Sequence, residues 1–125
     1  AAQEKVLEDL DLSTYSFRAI TFEHNLHLSF QDDNWKKVYR DSRDKFISSG
    51  YKILFGNVGL YPNQPVEDWY VDQETFDKYE KISSENLTRD QMIGAILLPA
   101  PINNAVTIRT PPTCHLNFEN IFRSS

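Results

Sequence analysis

Three consecutive residues, Glu23, His24 and Asn25, offer the densest set of groups able to move a proton in this chain. Histidine titrates near neutrality, so His24 can act as a general base on a nucleophilic oxygen or nitrogen, with Glu23 and Asn25 holding the reactants in place. The same residue types also satisfy backbone groups at a loop entrance, and their spacing does not choose between the two roles. A metal pair of His24 and His27 would need a third ligand, which the sequence does not nominate. Glu67, Asp68 and Trp69 form a second acidic and aromatic group. There, however, Trp69 and Val71 at two-residue spacing fit the core face of a strand, which would leave the acids solvated. Cys114 has His115 beside it, but adjacent side chains of an extended segment point to opposite faces, so no thiol hydrolase is indicated.

The elements that must position these groups can be read from periodicity. Val6, Leu7 and Leu10 share one face of a short helix over residues 3–10, and Asp11, Ser13 and Thr14 break it. Residues 17–22 are β-prone with apolar residues on both faces, which predicts an interior parallel strand. Glu23, His24 and Asn25 then fall at its carboxyl end, where open α/β sheets bind ligands. Asp32 or Asp33 can cap a helix carrying Trp35, Val38, Tyr39, Phe46 and Ile47 as its apolar stripe, and Gly50 suits its left-handed terminus. Tyr51, Ile53 and Phe55 alternate as a strand, Gly56 and Gly59 permit a bulge, and residues 62–65 turn the chain into a second strand over residues 66–71. The pair reads as an antiparallel hairpin. Asp72 can cap a short helix with Phe76 and Tyr79 on one face and an acidic, solvated surface of Asp72, Glu74, Asp77 and Glu80. Thr88 and Gln91 match a capping box ahead of residues 92–98, which Pro99 and Pro101 stop. Residues 99–125 read as an extended, proline-containing tail with one β-prone stretch at residues 106–108.

Composition narrows the function classes. The chain has 125 residues, enough for one core, and its 40% hydrophobic and 25% charged content is that of a folded globular chain. A net charge of -5 with scattered lysines and arginines leaves no basic stripe for nucleic acid. No apolar run approaches the roughly 20 residues that span a bilayer. With no signal peptide visible and a single cysteine, a reducing, cytoplasmic setting is expected. The chain opens without methionine on a helical pattern already under way, as a start inside a longer reading frame would.

The order of helix, buried strand, helix, strand and hairpin partner is that which follows the fourth strand of a class I methyltransferase sheet, whose last two strands are antiparallel to each other. Residues 3–10, the run Ile20-Thr21-Phe22-Glu23-His24-Asn25, Gly50-Tyr51 and Glu67-Asp68-Trp69-Tyr70-Val71 stand at spacings that resemble the carboxyl half of an FkbM-type S-adenosylmethionine-dependent methyltransferase. The resemblance covers residues 1–72. In that family the fourth strand ends in an Asp-x-Glu-Gly turn, and Ala1, Ala2 and Gln3 would sit just after it. Residues 73–125 match nothing in the family pattern. The glycine-rich loop after the first strand, the carboxylate for the cofactor ribose and the Asp-x-Glu-Gly turn are missing from this chain.

The resemblance implies an α/β fold: a partial class I methyltransferase (Rossmann-like) sheet over residues 1–98, with a terminal antiparallel hairpin and flanking helices, followed by the tail. It implies methyl transfer from S-adenosylmethionine to a hydroxyl of a sugar-like or small-molecule acceptor. Glu23, His24 and Asn25 would lie near the transferred methyl, while Glu67, Asp68 and Trp69 would face the acceptor, the indole packing on a sugar ring. Lacking the half that grips the cofactor, the chain should bind it poorly or not at all. A half sheet would also leave a parallel edge open, which self-association into a homo-oligomer would cover. The expectation of a different class is a non-enzymatic structural or interaction module, with the tail lying along another subunit of a multi-subunit or viral assembly.

Overall fold

A computed structural model describes residues 2–97 and 105–108. Helix α1 (Ala2–Asp9) buries Gln3 and Leu7 and stops where the Asp11 carboxylate accepts hydrogen bonds from Ser13 and Thr14. Those donors hold the Asp11 carboxyl down at about 2. Strand β1 (Ala19–Glu23) is buried at all five residues. It begins two residues later than its β-prone run, because Phe17 lies outside the ladder and donates its N–H to the Tyr51 hydroxyl.

Asn25 adopts a left-handed conformation (φ 55°), turning the chain out of the sheet and into a single 3-10 turn at Leu26–Leu28. Helix α2 (Asn34–Ser48) follows. The expected cap is Asp32, whose Oδ1 accepts from Asn34 N–H, whereas Asp33 makes no capping bond. The buried face of α2 is carried by Val38, Ser42 and Phe46; Ile47, assigned to the apolar stripe, is exposed instead. Gly50 (φ 97°) ends the helix as anticipated.

Strands β2 (Lys52–Val58) and β3 (Glu67–Val71) form the expected antiparallel hairpin. Register shifts on either side of Phe55 bulge β2, and the left-handed residue there is Asn57 rather than a glycine. Asp72 caps α3 (Gln73–Tyr79) through Thr75 N–H. A turn at Glu80–Ile82 leads to the two-residue β4 (Ser84–Glu85), and the full capping box of Thr88 and Gln91 opens α4 (Arg89–Ile96). Glu74, Asp77 and Glu80 are solvated, as the sequence suggested.

The protein is α/β, with a mixed sheet in the order β4-β2-β3-β1-β5. β3 is antiparallel to both of its neighbours, β1 and β2, so the expectation of a wholly parallel environment for β1 is corrected. β1 is parallel only to β5 (Ala105–Ile108), the β-prone stretch of the tail, which pairs from Ala19↔Ala105 to Phe22↔Ile108. β5 therefore lies along the edge of β1 that the sequence alone left open. The rest of residues 99–125, with Cys114 and His115, and the end of the expected 92–98 helix lie outside the described residues.

Two cores flank the sheet. Ile20, Phe22 and Tyr70 pack with Val38 and Phe46 of α2 on one face. Trp69 and Val71 pack with Tyr79 of α3 and with Met92 and Ile96 of α4 on the other. Because β3 is covered on both faces and both edges, strand alternation cannot expose either Glu67 or Asp68, and both are fully buried. The expectation that these acids are solvated is thereby overturned.

Candidate functional site

The β1/β3 register sets Glu23 directly opposite Glu67 and Phe22 opposite Asp68. The two nominated segments, residues 23–25 and 67–69, thus meet at the carboxyl end of β1. Opposed residues of an antiparallel pair share a face, so the six nominated side chains divide into two groups across the sheet.

On the α2 face, Asp68 is a hub. Arg43 of α2 grips its carboxylate with two bonds, Nε to Oδ2 and Nη2 to Oδ1, each 2.9 Å. Asn57 N–H donates to Oδ1 at 2.9 Å and the Tyr70 hydroxyl to Oδ2 at 3.3 Å. His24 is fully buried; its Nδ1 accepts from Leu26 N–H at 3.1 Å, which places the proton of the neutral ring on Nε2. Nε2 stands 3.4 Å from Asp68 Oδ1, outside good hydrogen-bond geometry. The ring packs edge-on against Tyr39, and the Arg43 guanidinium lies over that same ring. Burial acts to raise Asp68, but the nearby His24 ring and the two bonds from the Arg43 guanidinium outweigh it and hold the carboxyl well below the usual carboxylate range. Burial, reinforced by the Asp68 charge, pushes the Tyr70 phenol well above its ordinary value. With its lone-pair directions taken, Asp68 has no oxygen to offer a ligand, and both nitrogens of His24 face inward. This half of the constellation positions the strand end.

On the α4 face the arrangement differs. Glu67 accepts from Arg89 Nη2 at 2.6 Å and from the Trp69 indole N–H, so the indole nominated for a sugar face is bonded to its own strand's carboxylate. Glu23 Oε1 accepts from Asn25 Nδ2 at 3.1 Å, while Glu23 Oε2 is buried without a partner. Thr21 Oγ1 and Arg89 Nε, buried on the same face, are likewise unpartnered. Glu23 and Asn25 each retain 8% exposure. An acceptor-only carboxylate oxygen, held in place by its neighbour and largely withdrawn from water, can take a proton from a bound hydroxyl.

Arg43 and Arg89 were not nominated by sequence. Arg43 stands four residues after Tyr39 on the inward side of α2. Arg89 occupies the first turn of α4, where the helix dipole disfavours a cation and so hints at a carboxylate partner. His24 and His27 gain no third ligand: among the described residues no three His, Cys, Asp or Glu side chains are grouped to hold a metal ion. Gly56 and Gly59 make their close approaches to this chain itself, a Cβ at Gly59 meeting Gln64 O and one at Gly56 meeting Glu85 and Arg43. Among the described residues no helix is long and apolar enough to cross a membrane. Compared with known proteins, the chain matches no family model, no curated protein and no solved structure.

Proposed function

We propose that the chain is the acceptor-side half of a class I methyltransferase sheet of FkbM type, in a cytoplasmic enzyme that methylates a hydroxyl of a sugar-like or small-molecule acceptor. The observation that carries this reading is the β1/β3 pairing, which lays the 20–25 segment against the 67–71 segment. These are two of the four stretches on which the resemblance rests, and their junction holds Glu23 with one carboxylate oxygen unpartnered. In this reading Glu23 Oε2 receives the acceptor's hydroxyl proton as the oxygen attacks. Asn25 fixes the other Glu23 oxygen, and His24, through Asp68 and Arg43, keeps the end of β1 in register. The described residues do not fit S-adenosylmethionine: their glycines approach their own chain, as at Gly56 and Gly59, or face open space, as at Gly50 and Gly94.

That misfit favours the second reading, a non-enzymatic interaction module that packs into a larger assembly; β5 itself takes the edge of β1 that self-association was expected to cover. Calorimetric titration of the protein of the natural reading frame with S-adenosylhomocysteine separates the two: micromolar binding supports the enzyme, and no heat supports the module. In the natural reading frame, Glu23→Gln should lower kcat for methyl transfer by about 10²-fold or more with KM nearly unchanged. Unaltered turnover would remove Glu23 from the chemistry.

A further inference from the structure

We propose that Thr21, Glu23 and Arg89 form a binding site for a neutral polyhydroxyl compound at the carboxyl end of β1. This deepens the acceptor side of the function proposed above and rests on that reading for the fate of the bound hydroxyl; binding itself requires neither cofactor nor methyl transfer.

The three residues are 0%, 8% and 6% exposed, and each has one buried polar atom without a partner: Thr21 Oγ1, Glu23 Oε2 and Arg89 Nε. Buried polar atoms are almost always satisfied, so three such atoms around one strand end mark a place where something else completes them. Thr21 and Glu23 lie two residues apart on one face of β1. Arg89 is tied to Glu67, which faces Glu23 across the ladder.

The donors and acceptors restrict what can fit. Glu23 Oε2 only accepts, Arg89 Nε only donates, and the threonine hydroxyl does either. A ligand hydroxyl can donate to the carboxylate and accept from the guanidinium. An ammonium could only donate, and it would put a second cation against Arg89. Among the described residues an anion would meet the Glu23 carboxylate beside the one guanidinium of Arg89, which Glu67 already engages. The Cα atoms of residues two apart on a strand are about 6.6 Å apart, and neighbouring hydroxyls on one small molecule can reach side chains set at that spacing.

Trp69 supplies a built-in reporter, because its indole N–H donates to Glu67 inside the cluster. The only other tryptophan, Trp35, packs with the core on the opposite face of the sheet and serves as an internal control. The experiment follows the two indole N–H resonances of the 125-residue chain during titration with methyl α-glucoside, methyl α-mannoside and myo-inositol, and separately with inorganic phosphate and ethylammonium. A saturable shift of Trp69 with at least one polyol, with Trp35 unmoved and neither ion acting, is expected. Thr21→Val and Glu23→Gln should each weaken that binding about tenfold while leaving the Trp35 resonance in place. No shift with any polyol would mean that ordered water fills the cluster; that, a matching response to either ion, or unaltered binding by both variants overturns the assignment. Failure of S-adenosylhomocysteine to bind the protein of the natural reading frame would overturn the methyltransferase reading alone.

Discussion

Replacing Asp68 with asparagine tests whether the carboxylate hub holds β1, β2, β3 and α2 together. The substitution keeps the shape but withdraws the charge that answers two bonds from Arg43. Removing one partner of a buried ion pair costs about 3–5 kcal/mol, because the other charge is left without compensation. The Arg43 side chain is 21% exposed and can recover some hydration, which sets the expectation at the low end, about 3 kcal/mol. For a chain of 125 residues that corresponds to a fall in Tm of roughly 12 °C. Urea unfolding followed by circular dichroism measures it directly, and Arg43→Met in the Asp68→Asn background completes a cycle. Removing both charges should restore at least half of the loss, since the methionine can still pack on Tyr39. The pH dependence carries the same signature. A carboxyl held below its unfolded value stabilises fully above roughly pH 3.9, and that stability is lost as the pH falls below it toward the folded value. Asp68→Asn should flatten this acid limb. A cost under about 1 kcal/mol, or additive effects of the two substitutions, would refute the hub.

Three further outcomes follow from packing. Phe46→Ala, which removes a fully buried ring in contact with Phe22, Tyr51 and Tyr70, should cost about 3–5 kcal/mol by urea unfolding. Gly59→Ala would drive a Cβ to 2.1 Å from Gln64 O and should destabilise by about 1–3 kcal/mol, whereas Gly94→Ala, within α4 and facing open space, should stabilise by roughly 0.5–1 kcal/mol. Equal thermal shifts for the two glycine variants would discredit the described path of residues 59–64. Thr88→Ala removes the half of the capping box in which the Thr88 hydroxyl accepts from Gln91 N–H, keeps the backbone N–H that donates to Gln91 Oε1, and should cost about 1 kcal/mol, with faster amide exchange confined to the first turn of α4.

Local rules made much of this architecture legible. The hairpin, the Asp72 cap, the Thr88–Gln91 box and the glycine terminus of α2 all come from signals within a few residues of one another. What escaped depends on separation in sequence. Asp68 and Arg43 are 25 residues apart, and Glu67 and Arg89 are 22 apart, so no periodicity links the partners. The acids looked solvated because a hairpin's second strand was expected to keep one face in water; placed between β1 and β2 under two helical layers, it keeps neither. The bulge residue Asn57 was missed for a local reason: glycine is the first candidate for a left-handed position, and asparagine the next. The meeting of residues 23–25 with residues 67–69 was anticipated only through family likeness, since strand order is not written in either segment.

The place of β3 also dictates an order of assembly. β1 and β2 run the same way yet never touch as neighbours, because the strand that joins them is synthesised after both. Until residues 67–71 arrive, each has only helices to lean on, and the loop closures that bring the parallel pair into register go unrewarded. The hairpin can zip locally, and β1 then docks onto it as the long-range step. The transition state for folding should therefore contain β2 and β3 with β1 partly attached, and substitutions at Tyr70 should slow refolding, whereas those in α4 should mainly hasten unfolding. The central strand that holds the carboxylate hub is on this account also the gatekeeper of the folding rate.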